Sequence, residues 1–284
     1  VVIAGGTNWK DDTKHWLDQI RVFEPRKNAW RDAGRLAAPL AYAAYGQTTD
    51  GLWFAGGSSG ADTHTSRSRL DRRLNILTSP ISGLRFVYSS GAILHSKLYV
   101  IGGAQDQAKL ETLTNACYAI DLRAGLNGGK ATRLADLPVP GFITGAAAAC
   151  GDRVFVFGGA YWDAAANTVT NMSGTFAYLP TKDRWERLAP YPFEARGLTA
   201  VALDSHHIFI GGGYKNDQEE FADEAFIFDT SAGAFRKTTP LPYRALVGLV
   251  VNGDQLYCLG GEDRKKHRTD AAYRIEWKEL LKSH

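Results

Sequence analysis

Two ionisable side chains near the end of the sequence have types and spacing that could support proton transfer beside an anionic ligand. Glu262 and Arg268 are six residues apart. A carboxylate can remove and return a proton, and it does so best when partial burial raises its pKa toward neutrality. A guanidinium can bind a carboxylate in fork geometry and stabilise developing negative charge. The alternative is that Glu262 only pairs with Arg264 or Lys265 on a solvated loop.

Three further arginines, Arg85, Arg196 and Arg244, each precede a short apolar stretch. If these stretches are equivalent elements of a repeated fold, the three side chains converge at one end of it. Like charges that converge repel unless an anion joins them, so a ligand bearing a carboxylate or phosphate is expected. The alternative for each arginine is an ion pair with an acid on a neighbouring element.

The elements that must position these side chains form a sixfold repeat. A β-branched or aromatic run followed by Gly-Gly occurs six times, with the first glycine at positions 5, 56, 102, 158, 211 and 260. The intervals of 51, 46, 56, 53 and 49 residues match the length of a kelch-type blade. The sequence predicts an all-β, six-bladed kelch-type β-propeller with four antiparallel strands per blade, in one domain over residues 1–284. The alternative is a β-sandwich with coincidental glycines.

In a four-stranded meander with strands a to d from the centre outward, the b–c loop and the d–a link share one face. Variable loops on a repetitive scaffold usually carry function, so we expect the pocket on that face. The residues that follow Gly-Gly are Thr7, Ser58, Ala104, Ala160, Gly213 and Glu262, and Glu262 alone is ionisable. At the start of the inner strand, the aligned residues are Leu40, Arg85, Phe142, Arg196 and Arg244.

The chain length predicts that the first and last blades are incomplete. Six blades at the average interval of 51 residues need about 22 residues more than the 284 present. Val1 leads directly into strand b, and only Lys278–Lys282 is available as strand d of the last blade. We expect residues upstream of Val1 in the parent protein to supply the missing strands.

The segment Gly260–Asp270 resembles the active-site stretch of the bacterial N-acetylneuraminate mutarotases (sialic acid epimerases), a family of six-bladed kelch propellers. The family pattern is Gly, Glu, five spacers and then Arg-Thr-Asp. Glu262 and Arg268 fall on the proposed catalytic Glu and Arg of that pattern. This blade comes last in the chain, an order that resembles the circularly permuted subgroup.

A second segment, Ala4–Trp9, is similar to the family's Ala-Gly-Gly-Ala-Asn-Phe loop and makes Asn8 and Trp9 candidate substrate-binding residues. Tyr42 matches the tyrosine of the family's Leu-Pro-x-Gly-Arg-Ala-Tyr-Gly run, whereas Leu40 stands where the arginine is expected. Arg85, Arg196 and Arg244 are candidates to supply the lost charge.

The resemblance implies an isomerase that interconverts the α and β anomers of N-acetylneuraminate, with Glu262 as general acid and base and Arg268 binding the sugar carboxylate. It implies an acidic sugar as partner, no cofactor and no metal, and a periplasmic or secreted location, and it leaves a homodimer open. One alternative is a kelch module that binds a protein or glycan without turnover. Another is a mutarotase or lyase that acts on a different acidic sugar, such as a uronic acid.

Composition argues against several other classes of protein. The net charge is +3 and no long basic run occurs, which argues against a nucleic-acid partner. No stretch approaches 18 consecutive apolar residues, so no membrane span is expected. The widely spaced Cys117, Cys150 and Cys258 predict buried apolar positions rather than disulfides or a metal site. The His206-His207 pair is expected on an a–b turn, away from the predicted pocket.

Overall fold

The computed structural model describes residues 1–81, 84–123, 125–126 and 130–282. Over these residues the chain is almost entirely β-structure, with one 3₁₀ turn at Leu110–Thr112 and one α-helix, α1, at Trp277–Lys282. The chain divides into two compact units, Val1–Leu134 and Ala135–His284, which are described separately.

The first unit contains three antiparallel blade sheets. Its strands are β1 (Val2–Ala4), β2 (Thr7–Lys10), β3 (Thr13–Trp16), β4 (Gln19–Glu24), β5 (Ala29–Arg35), β6 (Ala44–Thr48), β7 (Gly51–Ala55), β8 (Ser66–Asp71), β9 (Ile76–Pro80), β10 (Ser90–Leu94), β11 (Lys97–Gly103), β12 (Thr114–Asp121) and β13 (Ala131–Leu134). The first sheet has the order β1-β4-β5, and the β2–β3 hairpin lies between its first two strands in sequence. The other two sheets are four-stranded meanders, β6 to β9 and β10 to β13.

The second unit repeats this plan. Its strands are β14 (Ala146–Cys150), β15 (Arg153–Phe157), β16 (Ala160–Asp163), β17 (Thr168–Asn171), β18 (Thr175–Leu179), β19 (Arg184–Arg187), β20 (Arg196–Ala202), β21 (His207–Tyr214), β22 (Ala225–Asp229), β23 (Ala234–Lys237), β24 (Leu246–Asn252), β25 (Gln255–Arg264) and β26 (His267–Glu276). The sheets have the orders β14-β15-β18-β19, β20-β21-β22-β23 and β24-β25-β26, with β16 and β17 paired as a separate hairpin.

The recurring Gly-Gly pairs have one backbone conformation in all six sheets. The first glycine has φ between 51° and 73° and the second between 88° and 103°. Residues with a Cβ rarely adopt this left-handed region, which explains why glycine recurs at both positions. In the fifth sheet the pair with this conformation is Gly212–Gly213, so the sequence alignment that began the pair at Gly211 was wrong by one residue.

An aromatic pair joins the two outer strands in three of the sheets. Ring centroids lie 5.2 Å apart for Phe23 and Trp30, 5.1 Å for Tyr178 and Trp185, and 4.7 Å for Phe228 and Phe235. The second member of each pair is the second residue of the outermost strand of its sheet. These offset contacts add roughly 0.5–1.5 kcal/mol each to the apolar area that they bury.

Small residues on an inner strand leave room for bulky neighbours in the core of the second unit. In β14 the run from Ala146 to Ala149 pairs with the larger side chains of β15. Phe155 and Phe157 of β15 are fully buried, and both contact Phe228 of the next sheet at 5.6–5.8 Å. The three cysteines are free thiols in buried positions, which confirms the prediction that they serve as small apolar residues.

The first and last sheets have three strands each, which confirms that both blades are incomplete among the described residues. The prediction that Lys278–Lys282 forms a weak fourth strand was wrong, because these residues belong to α1. Leu280 is 2% exposed and packs in the core cluster with the fifth and sixth sheets. The Arg236 guanidinium donates to the carbonyls of Leu280 and Leu281 at 3.2 Å, and so satisfies two C-terminal helix acceptors.

Candidate functional site

Glu262 and Arg268 lie directly opposite each other on the β25–β26 hairpin. The strands continue past the Gly-Gly pair and turn at Lys265 and Lys266, so the spacing of six residues makes the two side chains cross-strand neighbours. Glu262 Oε2 forms an ion pair with Arg268 Nη1, and the two side chains are only 18% and 19% exposed. Glu262 Oε1 accepts the Lys266 backbone N–H at 3.3 Å. The partner of Glu262 is therefore Arg268 rather than Arg264 or Lys265.

Close backbone packing fixes the position of Glu262. An ideal Cβ added to Gly261 would lie 1.9 Å from the carbonyl oxygen of Leu246, so only glycine fits there. The Tyr243 hydroxyl donates to the Gly260 carbonyl at 2.9 Å. Burial raises the pKa of Tyr243, which keeps this hydroxyl protonated as a donor. Glu262 thus follows a turn that is held from two sides.

Hydrogen bonds between consecutive blades define which residues are equivalent. The second glycine of a pair donates its N–H to a carbonyl at the start of the next blade; the acceptors are Leu40, Phe86, Ala195 and Ala245 for Gly6, Gly57, Gly159 and Gly213. The residue after each such acceptor pairs with the residue that follows Gly-Gly in the blade that begins there. The pairs are Ala41 with Ser58, Val87 with Ala104, Arg196 with Tyr214 and Leu246 with Glu262, and Ile143 pairs in the same way with Ala160. Tyr214, not Gly213, is therefore the counterpart of Glu262 in the fifth sheet.

This register corrects the predicted convergence of three equivalent arginines. Arg85 and Arg244 each precede the carbonyl acceptor of their blade, whereas Arg196 follows it. Arg85 is exposed, and Arg244 is exposed with Nε 3.6 Å from Asp223. Leu40 is itself an acceptor, equivalent to Phe86, so it does not occupy the position of Arg85 or Arg244.

Arg196 has the most defined surroundings of these arginines. Its guanidinium carbon lies 4.3 Å from the centroid of the Tyr214 ring, and Nη1 donates to Asn171 Oδ1 at 2.9 Å. The Asn171 amide in turn donates to the carbonyls of Tyr214 at 3.0 Å and Lys215 at 2.6 Å, which fixes its orientation. Burial lowers the pKa of Arg196. The sequence alignment missed Tyr214, because the triple glycine before it allows two registers. It missed Asn171 because this residue lies on β17, in the hairpin of the preceding blade.

In the first unit, the structure brings Trp9 and Tyr42 together around Lys14. The Lys14 ammonium lies 4.8 Å from the Tyr42 ring centroid, 5.7 Å from Trp9 and 5.5 Å from Trp16. Such distances are within the range of cation–π attraction. Asn8 lies on the same hairpin, and its Oδ1 is buried without a hydrogen-bond partner among the described residues. Sequence reasoning missed Lys14, although its place on β3, opposite Trp9 of β2, follows from hairpin pairing.

Tyr42 also contacts Tyr88, with ring centroids 4.8 Å apart. Both residues have positive φ, 61° and 63°, and the Tyr88 N–H donates to the Tyr42 carbonyl at 3.0 Å. Burial, with a smaller contribution from Tyr42, raises the pKa of Tyr88 to about 12. The two tyrosines thus occupy equivalent positions, each two residues before an inner strand.

Other features lie away from these clusters. An open hollow of about 590 Å³ lies beside the turns of the second sheet, lined by Thr49, Asp50, Arg69, Asp71, Arg72, Arg73 and Asn75, and it contains none of the predicted site residues. His207 Nδ1 contacts the Asp204 carboxylate at 2.9 Å on the turn between β20 and β21, where the sequence places it. Among the described residues, no three His, Cys, Asp or Glu are grouped to hold a metal ion. The described part of the chain also contains no helix with the length and apolar character needed to cross a membrane.

No family model matches the chain. N-acetylneuraminate epimerase 1 of Escherichia coli O6:H1 is 25% identical over 236 residues, which cover 69% of this chain and 60% of that protein. The human Kelch-like protein 33 is 30% identical over 172 residues, which cover 58% of this chain and 31% of that protein. The chain thus spans less than two thirds of the length of these relatives.

Among solved structures, that of YjhT is similar with a TM-score of 0.71 and 11% sequence identity, over 84% of this chain and 80% of that chain. At this identity the likeness shows the fold alone. It confirms the predicted all-β, six-bladed kelch-type β-propeller. The circularly permuted order stays a prediction.

Proposed function

We propose that the chain is an isomerase that interconverts the α and β anomers of an acidic sugar, with N-acetylneuraminate as the first candidate substrate. The observation that carries this proposal is the half-buried ion pair of Glu262 and Arg268 on a hairpin stem. In the other sheets whose pairing at this position is described, the equivalent pairs are Thr7 with Trp16, Ser58 with Thr63, Ala160 with Asn171 and Tyr214 with Phe221, none of them charged.

Anomer exchange needs a group that can take a proton and return it. Ring opening transfers the anomeric hydroxyl proton to the base, breaks the bond between the anomeric carbon and the ring oxygen, and delivers a proton to that oxygen. Rotation of the open form followed by ring closure reverses these transfers, so the enzyme ends in its initial protonation state. A single carboxylate can serve both directions.

The geometry of Glu262 is compatible with that role. A carboxylate has about four lone-pair sites, and Arg268 and the Lys266 N–H occupy two of them. The remaining sites can accept the proton of a sugar hydroxyl while Arg268 keeps the carboxylate oriented. In sialic acids the anomeric carbon carries both the carboxylate and the anomeric hydroxyl. An arginine that binds the carboxylate would therefore place that hydroxyl beside Glu262.

The likeness to N-acetylneuraminate epimerase 1 of Escherichia coli supports this substrate over other sugars. A uronic acid is the second candidate, because it also offers a carboxylate near a hemiacetal carbon. A periplasmic or secreted location and a homodimer stay predictions that follow from the same resemblance.

The direct test is exchange NMR with N-acetylneuraminate, glucuronate and galacturonate, measured with and without the protein. We expect accelerated exchange between the two anomers of N-acetylneuraminate. Acceleration for a uronate alone would replace the substrate and retain the isomerase, whereas no acceleration for any of the three sugars would contradict the proposal.

A binding module without turnover is the second candidate function. It is favoured by the likeness to Kelch-like proteins and by the ion pair itself, since a cross-strand Glu–Arg pair also stabilises a hairpin. The two functions differ in one respect that can be measured: only an isomerase loses a catalysed rate when the Glu262 carboxylate is replaced by an amide.

A further inference from the structure

We propose that Arg196 is the residue that binds the carboxylate of the acidic ligand, and that Arg268 serves instead as the ion-pair partner that orients Glu262. This inference rests on the proposed function, because it assigns the ligand-binding arginine of the same site. It departs from the expectation drawn from the family resemblance, in which Arg268 binds the sugar carboxylate.

The position of Arg196 in its blade is the first argument. It is the first residue of β20 and pairs with Tyr214, the residue that follows Gly-Gly. The equivalent residues of the other blades in which this pairing is described are Ala41, Val87, Ile143 and Leu246. All four are apolar, so the scaffold does not need a charge at this position. A function other than blade packing explains the arginine best.

The second argument is that the Arg196 guanidinium is held in a fixed orientation without a carboxylate partner. The Tyr214 ring covers one face of Arg196, and Asn171 holds one of its nitrogens in a fixed direction. Among the described residues, no carboxylate lies within ion-pair distance of Arg196. The Tyr214 hydroxyl donates to the Asp217 carboxylate, so Tyr214 lies between that acid and the guanidinium.

The binding of an anion to the partly buried Arg196 guanidinium is expected to be favourable in free energy. Burial makes the charged form of Arg196 less stable than in water, and its interactions with Tyr214 and with the charge of Asp217 offset this only in part. A guanidinium has five N–H donors, and a carboxylate can accept two of them in parallel. Since Tyr214 and Asn171 already restrict the side chain, little conformational entropy is lost on binding.

The contacts of Gly197 connect Arg196 to Glu262. An ideal Cβ on Gly197 would lie 2.7 Å from Cδ2 of Leu246, so the starts of the two inner strands touch. Leu246 is the strand partner of Glu262. Arg196 and Glu262 therefore lie at the same end of adjoining blades, connected through one pair of contacting residues.

The other two candidate arginines of the second unit, Arg268 and Arg244, are less suitable for this task. Arg268 contacts the Glu262 carboxylate, so an incoming carboxylate would have to compete with an acid of the protein. Arg244 has a side chain that is 66% exposed and lies 3.6 Å from Asp223, a geometry worth little energy in water. Arg184, an exposed arginine of β19 whose guanidinium pairs with Glu186 at 2.6 Å, is therefore the matched control for charge removal on the same unit.

The experiment compares Arg196→Gln with Arg184→Gln in calorimetric and saturation-transfer titrations of N-acetylneuraminate, glucuronate and galacturonate. Loss of a charge-assisted hydrogen-bonded pair predicts about 10–100-fold weaker binding of the carboxylate ligand by Arg196→Gln. Arg184→Gln is expected to stay within about twofold of the unaltered protein. Arg196→Lys keeps the charge without the fork and is expected to fall between them. Thermal unfolding of each variant separates lost binding from lost structure.

Three results would overturn the inference. The first two are unchanged binding by a folded Arg196→Gln variant, and no binding of any of the three sugars by the unaltered protein at millimolar concentration. The third is a larger loss of affinity in Arg268→Gln than in Arg196→Gln, which would return the anchor role to Arg268. If binding depends on Arg196 but no anomer exchange is accelerated, the inference stands and the proposed isomerase fails. The two failures are thus distinguishable.

Discussion

The fifth and sixth sheets have the same backbone plan and use it for different chemistry. In both, the residue after Gly-Gly pairs with a residue at the start of the inner strand. The fifth sheet places Arg196 and Tyr214 at these positions, and the sixth places Leu246 and Glu262. The repeated glycines fix where the side chains begin, and the side chain at each position can change without altering the blade. A site can thus be assembled from single substitutions on a repeated scaffold.

The same two sheets differ at their outer strands. In the fifth, Phe226 and Phe228 are 8% and 0% exposed beside the outermost strand β23. Their counterparts in the sixth, Tyr273 and Ile275, are 52% and 37% exposed, because β26 has no strand on its outer side among the described residues. The outermost strand, through Phe235, and the neighbouring fourth sheet, through Phe155 and Phe157, together make Phe228 part of the core.

The largest expected effect on stability comes from removing Phe228. Phe228→Ala should lower the free energy of unfolding by about 3–5 kcal/mol, since it deletes a fully buried ring and leaves a cavity. Ile275→Ala, at the equivalent position of the sixth sheet, should cost less than about 1 kcal/mol. Urea unfolding at constant pH measures both values. Equal losses in the two variants would show that Ile275 is covered in solution and would contradict the comparison.

An intermediate effect is expected where α1 replaces a fourth strand. The buried Thr238 hydroxyl donates to the Leu280 carbonyl at 3.1 Å, so Thr238→Val should destabilise the protein by about 1 kcal/mol. Thr132→Val, at an exposed position of β13, is the control and should be nearly neutral. Hydrogen exchange of the α1 amides should increase in the first variant alone. Unchanged stability and exchange in Thr238→Val would mean that α1 does not dock on the fifth sheet.

The smallest expected effect concerns the acid stability of the fifth sheet, at the turn that follows Asp229. The Ala232 and Ser231 backbone N–H groups hold the pKa of Asp229 below its usual value. A depressed folded-state pKa gives stability that is present above the unfolded pKa of about 3.9 and is lost as the pH falls through the folded value. Asp229→Asn should therefore reduce stability at neutral pH and weaken its fall below about pH 4. An identical pH profile for the variant would contradict this role of Asp229.

The sequence predicts the blades well because the requirement for left-handed backbone at each Gly-Gly is local and leaves a visible residue signature. The same signature is ambiguous at Gly211–Gly213, and that single shift hid Tyr214 as the counterpart of Glu262 and the ring beside Arg196. The spacing of Glu262 and Arg268 suggested a functional pair, but their contact depends on a hairpin turn that spacing alone does not establish.

The end of the chain was predicted less well for a different physical reason. Residues 278–282 were assigned as a weak strand from their position in the repeat. Their conformation is decided instead by tertiary contacts, since Leu280 enters the core and Arg236 caps the helix carbonyls. Similarly, the contact of Lys14 with Tyr42 depends on how the β2–β3 hairpin packs against the segment before β6, which a single sequence does not specify.

The most direct test of the central claim is the rate of anomer exchange in Glu262→Gln, measured by NMR with N-acetylneuraminate beside the control Glu276→Gln. Glu276 is an exposed acid at the far end of the same hairpin, on β26. If Glu262 transfers the proton, Glu262→Gln should lose about 10²–10⁴-fold of the acceleration while ligand affinity changes little, and Glu276→Gln should retain the full rate. An unchanged exchange rate in a folded Glu262→Gln variant would contradict the assignment of Glu262 as the general acid and base.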